Sequence, residues 1–487
     1  MFLRLINLMT RHTSSPCSIE WDKLDAVATA YLVRSGAVPA SDVLESALQR
    51  ISERNPTLNA VIDRFDAHAR KQLESGPPMG LMTGVPFLLK DTIEYPGFRY
   101  TAGSRWFAQR MGLAEPGWVA AMRAQGAVFI GKTNTPEFGL MDITEPMAHG
   151  PTLNPWNAAI TVGGSSGGAA AAVAAGIVPI AHGSDGGGSI RFPASCCGLF
   201  GFKPTCGVTA APYVSFDPRI QGGAVQHALT RSVRDSALAF AIATAAQARE
   251  PGSEFRRWVR EPLSRRLKIA VIDTPMHGGA LAASQHDALV DAMALLEALG
   301  HTVVSTRWPF DSQRHHAAFF DGWAYATYQF ARTLPPQDYK NFLGAVEPFT
   351  RGLATQGEGL SSERVEALVQ DALALKAAMD TFYHGFDALL TPISAVHPLA
   401  LGHHNPMQDY GTVMERVSRN VAFTYVQNVS GQPAMSVPLY WTDAGLPLGI
   451  HLATAAGQDE LLFRLAYELE QARPWQHRWP PIPQEKP

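Results

Sequence analysis

Residues 163–205 read GGSSGGAAAAVAAGIVPIAHGSDGGGSIRFPASCCGLFGFKPT. Two glycine-rich loops flank an alanine-rich run, and in the second loop Gly186, Gly187 and Gly188 stand directly before Ser189. Glycine in a loop costs conformational entropy on folding, so three in succession call for a reason. A row of backbone N–H groups without side chains is suited to holding a negative oxygen; a flexible surface turn is the plain alternative. The first loop, 163–168, opens straight into the alanines, as does a helix N-terminus that takes an anion. It lacks the Gly-Lys-Ser/Thr ending of a nucleotide-phosphate loop. Residues 164–168 also fit the G-x-S-x-G elbow, with Ser166 as nucleophile of an α/β-hydrolase-like esterase. That reading needs a strand just before it, for which AAITV (158–162) is the candidate, and an acid and a histidine later in the chain.

Outward from this centre, the apolar run 169–181 is interrupted by Gly176 and Pro179 and is too short to span a bilayer, so it reads as a buried helix. ASDVLESALQRISERNP (40–56) reads as a helix capped by Ser41, with Val43, Leu44, Ala47, Leu48 and Ile51 on one face. VPFLLKD (85–91) and AVFIGKTNTPE (127–137) are apolar runs that stop abruptly, as buried strands do. Residues 267–273, 284–300 and 301–306 repeat a strand–helix–strand pattern, and 386–392, 432–440 and 446–453 add strands. The aromatic-rich segment 307–385 has a helical pattern and reads as a cap over one sheet edge. The expectation is a single large α/β domain, 18–475, with a mixed, mostly parallel sheet flanked by helices, a tail at 1–17 and another at 476–487. Met9 is an alternative start to Met1.

Charged residues make up only 17% of the 487-residue chain and 42 residues are glycine, a composition suited to a large, tightly packed core. A net charge of −3 offers no basic footprint for nucleic acid or a membrane surface. Cys17, Cys196, Cys197 and Cys206 show neither zinc spacing nor a disulfide framework, which points to a cytoplasmic location.

Serine is a poor nucleophile until a base takes its proton. Lys90 closes the strand-like run PFLLK, and a lysine held away from water there loses its preference for the charged form. Lowering an amino group from about 10.4 to about 7.5 corresponds to roughly 4 kcal/mol, within reach of partial burial. A solvated, snorkelling side chain is the competing role for Lys90, and turn or cap positions for Ser165, Ser166 and Ser189.

The stretch 163–205 closely resembles the signature of the amidase signature family. GVPFLLKD (84–91), GKTNTPEFG (131–139), NPWN (154–157), DALLTP (387–392) and NVSGQPAMSVPL (428–439) extend the resemblance over about residues 20–475. It implies the amidase signature fold and a Ser–cis-Ser–Lys triad: Ser189 as nucleophile, Ser165 as the bridging cis-serine and Lys90 as base. It also implies an oxyanion hole at Gly186, Gly187, Gly188 and Ser189, with Ser166, Asp185 and Arg191 as supports. Arg191 is expected either to pair with Asp185 or, as in some relatives, to meet a substrate carboxylate. No metal or organic cofactor is implied. Where family members often show Thr-Asp-x-Gly-Gly-Ser, this chain has Ser184-Asp185-Gly186-Gly187-Gly188-Ser189; Gly186 replaces a bulkier residue, which suggests either a more mobile loop or a roomier pocket. The resemblance leans toward the branch of the 6-aminohexanoate cyclic dimer hydrolases. The expected activity is hydrolysis of a small apolar, aryl or cyclic amide, with carbamates or esters open. Phe319, Phe320, Trp323, Tyr325 and Tyr328 are candidates for an apolar pocket. The expected partners are the substrate and water, with a homodimer left open. A glutaminase-type subunit of a transamidation complex is the alternative outside this substrate class.

Overall fold

The five residues of β2 (Pro86–Lys90) are all buried, as are the six of β3 (Val128–Thr133). Strands covered on both faces have no polar side to alternate with, hence the continuous apolar runs. They belong to an 11-stranded sheet in the order β1-β3-β2-β4-β6-β5-β10-β11-β9-β7-β8. The remaining strands are β1 (Val61–Arg64), β4 (Ile180–Asp185), β5 (Phe200–Lys203), β6 (Val225–Thr230), β7 (Lys268–Val271), β8 (Thr302–Ser305), β9 (Ala388–Pro392), β10 (Ala434–Trp441) and β11 (Pro447–Ala453). The computed structural model describes residues 19–74, 76, 79–209, 215–244, 257–261 and 263–481. The expected N-terminal tail, the alternative start at Met9, Cys17 and the last residues of the C-terminal tail lie outside these.

The protein is a single large domain with a mixed sheet flanked by helices, as the sequence suggests. Parallel pairing is less prevalent than expected. It joins β3 to β2, β2 to β4, β9 to β7 and β7 to β8, while the other six pairings among the described strands are antiparallel. The short turn at 442–446 between β10 and β11 shows why: so brief a connection can only return antiparallel, since a parallel crossover needs a dozen residues or more.

The helix Gly167–Ala174 is buried at every residue. Its small side chains let its backbone approach the sheet and loops closely: a Cβ at Gly168 would stand 2.5 Å from Asn134 N and 2.8 Å from Ala60 O. The expected longer helix over 169–181 is cut short, because Gly176 turns the chain at φ 69° and Ile180 begins β4. The helix Ala40–Leu58 buries Val43, Leu44, Ala47, Leu48 and Ile51 as anticipated, but Pro39 occupies the cap position and Ser41 Oγ bonds Asp42 instead. Residues 158–162 form isolated bridges to Leu153 and Ala400 rather than a sheet strand, so Ser166 has no elbow beneath it. The segment 307–385 is helical over Ser312–Arg332, Pro336–Ala345, Pro348–Glu358 and Ser362–Phe382. No helix among the described residues is long and apolar enough to cross a membrane.

Candidate active site

Lys90 is the last residue of β2, flanked by β3 and β4, and is wholly shielded from solvent. Its Nζ donates to Ser165 Oγ at 2.7 Å and to Ser184 Oγ at 2.9 Å. Burial lowers the ammonium pKa to about 7, with the Asp185 charge pulling the other way. Two neutral hydroxyls therefore meet an amine that is readily neutral near physiological pH.

Ser165 is buried; the Gly164–Ser165 peptide is cis, and the Ser165 carbonyl accepts from Thr135 Oγ1 at 2.9 Å. Ser189 lies in the turn between β4 and the helix Arg191–Cys197. Among the described residues no hydrogen bond joins its Oγ to Ser165 Oγ, but both residues line one cavity. Catalytic hydrogen bonds often close only once a substrate is bound.

Asp185 organises the loop. Its Oδ1 accepts from Gly188 N at 2.9 Å and its Oδ2 from Ile190 N at 3.1 Å. The Gly188 N–H is thus engaged within the loop, which corrects its expected place among the oxyanion donors. Only a backbone trace, not the residue order, reveals this turn of the amide. The amides of Gly186, Gly187 and Ser189 have no acceptor among the described residues and remain candidates. Gly188 adopts φ 131°, and a Cβ there would stand 2.5 Å from Thr424 Oγ1, so only glycine fits without displacement.

Arg191 is fully buried and grips Asp185 through Nε at 2.9 Å and Nη2 at 2.8 Å. Its remaining reach goes to Thr424 O, Asn428 Oδ1 and His451 Nε2. It does not line the cavity, so of the two expected roles it takes the ion pair. Burial works against the Asp185 carboxylate, but Arg191, Lys203 and Asn428 outweigh it and hold the carboxyl well below its ordinary range. Ser166 Oγ donates to Ser184 O at 3.2 Å and accepts from Ser184 N at 3.3 Å, tying the two glycine loops together away from the cavity.

The cavity holds about 580 Å³. From the helix Ser312–Arg332, Phe319, Trp323 and Phe330 reach it, together with Phe138 and Phe216 from elsewhere. Phe319 stacks on Tyr425 with ring centroids 4.1 Å apart and stands over Gly187, where a Cβ would lie 3.1 Å from its Cζ. Three of the aromatic candidates miss the cavity. Phe320 is buried in a cluster with Met141 and Ile143, while Tyr325 packs on Phe216 and Tyr328 accepts from Arg332. Helical periodicity places them on other faces from positions 319, 323 and 330.

A family model described as Amidase matches residues 42–463. The chain belongs to the amidase family. The amidase is 36% identical over 469 residues to a putative amidase AmiC of Mycobacterium bovis, covering 93% of this chain and 95% of the relative. Its fold matches a structure of 6-aminohexanoate cyclic dimer hydrolase complexed with substrate, with TM-score 0.84, 32% identity and coverage of 95% and 99%. It also matches a bacterial aryl acylamidase of the amidase signature family, with TM-score 0.81, 27% identity and coverage of 93% and 96%. It is a hydrolase of carbon–nitrogen bonds other than peptide bonds.

Sequence reasoning missed several residues around this amidase's site. Ser184 is a second partner of Lys90. The Thr424 hydroxyl donates to Gly187 O, fixing one glycine carbonyl. Asn428 donates to Asp185 O at 2.8 Å. Asn428 lies inside the NVSGQPAMSVPL segment, yet nothing in its spacing tells that it folds back onto a loop more than two hundred residues earlier.

Proposed function

We propose that the amidase cleaves small, uncharged aryl, apolar or cyclic amides through an acyl-enzyme on Ser189. The observation that supports this most is the buried Lys90 amine, 2.7 Å from Ser165 Oγ beside a cavity that also holds Ser189 and the bare loop amides. Ser189 Oγ attacks the carbonyl carbon while its proton passes to Ser165 Oγ and the Ser165 proton passes to neutral Lys90 Nζ. The oxyanion rests on the N–H groups of Gly186, Gly187 and Ser189. Collapse breaks the C–N bond as the proton returns by the same route to the leaving nitrogen. Water then repeats the sequence on the acyl-Ser189 ester and releases the acid. Carbamates and esters present the same carbonyl to the same groups.

Among the described residues no lysine or arginine lines the cavity, so a substrate carboxylate finds no counter-charge. This favours neutral amides over free glutamine and so over the glutaminase reading. Likeness to the cyclic dimer hydrolase and the aryl acylamidase favours the same class. A panel of acyl anilides, carbamates, the 6-aminohexanoate cyclic dimer and glutamine tests it. Turnover of neutral amides, absent in Ser189→Ala, is the expected result; turnover of glutamine alone overturns it.

Gly187→Ala tests the oxyanion loop. Its methyl would stand 3.1 Å from Phe319 Cζ, crowding the ring over the bare amides. Misplacing one donor costs about 100- to 1000-fold, felt mainly in kcat because the hole is filled in the transition state. The expected variant keeps its melting temperature within a few degrees and loses kcat. Undiminished kcat would show that the bare backbone serves another purpose.

A further inference from the structure

Gly187 and Gly139 mark two places where the cavity wall closes on the reacting groups. At Gly187, in the oxyanion loop, a Cβ would stand 3.1 Å from Phe319 Cζ and 3.9 Å from Tyr425 Cβ. At Gly139 a Cβ would stand 3.4 Å from Ser165 Oγ and 3.4 Å from Thr92 Cγ2. Phe319, Gly187, Gly139, Ser165 and Thr92 all line the cavity.

The two places are built by different packing. Phe319 stacks on Tyr425 at an interplanar angle of 14°, and the Tyr425 hydroxyl is tied to His316 Nδ1 at 2.8 Å, so the ring over Gly187 is held from behind. Phe138, the neighbour of Gly139, packs instead on Phe330 and Phe342, with ring centroids 5.2 and 5.8 Å apart.

The chemistry gives each side one half of the substrate. When the C–N bond breaks, its electron pair leaves on nitrogen. The nitrogen takes the Ser165 hydroxyl proton, and Ser165 takes one from the Lys90 ammonium. The leaving amine therefore faces Ser165, on the Thr92–Gly139 side. The carbonyl oxygen rests on the loop amides, and the acyl substituent stays on the carbonyl carbon through both half-reactions. With the amine turned to Ser165, the wall left for the acyl group is the one that closes on Gly187.

We propose that Phe319 is the specificity-determining residue for the acyl group, its ring limiting the size of the substituent beside the oxyanion loop, while the leaving amine occupies the Thr92–Gly139 side. This rests on the Ser189 acyl-enzyme reading above. It makes the site select on the acid half of the amide separately from the amine half. One carbon more or less against an apolar wall changes kcat/KM by about 10- to 200-fold.

The test measures kcat/KM of the full-length wild type, Phe319→Ala and Phe319→Leu on two series. The 4-nitroanilides of acetic, butyric and benzoic acid vary only the acyl group; the acetyl amides of aniline, 4-butylaniline and 1-naphthylamine vary only the amine. Phe319→Ala is expected to raise the benzoyl-to-acetyl ratio at least about tenfold over wild type and to leave the ratios within the amine series unchanged within about threefold. Phe319→Leu keeps an apolar side chain against Tyr425 and is expected to shift the acyl ratio the same way by a smaller factor, which decides the matter if the alanine variant does not fold. A shift confined to the amine series, an equal shift in both series, or no shift in either overturns the proposal while leaving the Ser189 chemistry intact. Turnover undiminished by Ser189→Ala would instead remove the reading on which it rests.

Discussion

Ser189→Ala is expected to abolish turnover, with kcat lower by at least about 10⁴-fold, in a protein whose melting temperature is unchanged. The Ser189 side chain makes no hydrogen bond among the described residues; its carbonyl, which accepts from Ser166 N at 3.2 Å, is unaffected by the substitution. Little of the fold depends on the hydroxyl, and all of the proposed covalent chemistry does. Ser166→Ala provides the contrast. It removes two hydrogen bonds to the Ser184 backbone, costing about 1 kcal/mol of stability, and leaves turnover within about tenfold. The reverse ranking, measured as kcat and melting temperature on the same amide, would make Ser166 the nucleophile.

Lys90→Met is expected to cost about 10²- to 10⁴-fold in kcat and to erase the pH limb of the rate. Only the neutral amine can take a proton, and its pKa is lowered to about 7, so wild-type kcat/KM should rise with pH through about 7 and level off above it. The same shift acts on stability in the opposite sense to function. The unfolded lysine holds its proton up to about 10.5 and the folded one only to about 7. Its burial therefore weighs against the fold at all pH values below the unfolded pKa, and most fully below 7, by on the order of 5 kcal/mol. Methionine fills much of the same volume without that charge, so Lys90→Met should melt at or above the wild-type temperature near pH 6. An inactive variant that also melts well below wild type would mark Lys90 as a structural residue.

Much of this site is readable in the chain because its parts are local. The bare loop and Ser189 are neighbours in sequence, the Gly163–Gly168 loop runs directly into its helix, and a lysine ending an apolar run marks the close of a buried strand. What the residue order conceals has two physical sources. The first is backbone orientation. Gly186, Gly187 and Gly188 look alike as letters, but only Gly188 turns its N–H onto Asp185. The second is pairing across long separations. Asp142 meets Asn420 and His404, and Thr424 meets Gly187, by virtue of sheet order and helix packing that no local pattern carries. AAITV failed as a strand for a related reason: an alternating or apolar run becomes a strand only where a neighbouring strand has an edge to offer, and here only isolated bridges form. The short 442–446 turn, by contrast, could have announced the antiparallel centre of the sheet.

The proposed nucleophile can be read directly by reacting the full-length protein with a fluorophosphonate at pH 8, digesting it and locating the adduct by mass spectrometry. The adduct is expected on Ser189, absent from Ser189→Ala and formed at least about 100-fold more slowly in Lys90→Met. An adduct on Ser166, or on any serine other than Ser189, would contradict the assignment of the nucleophile.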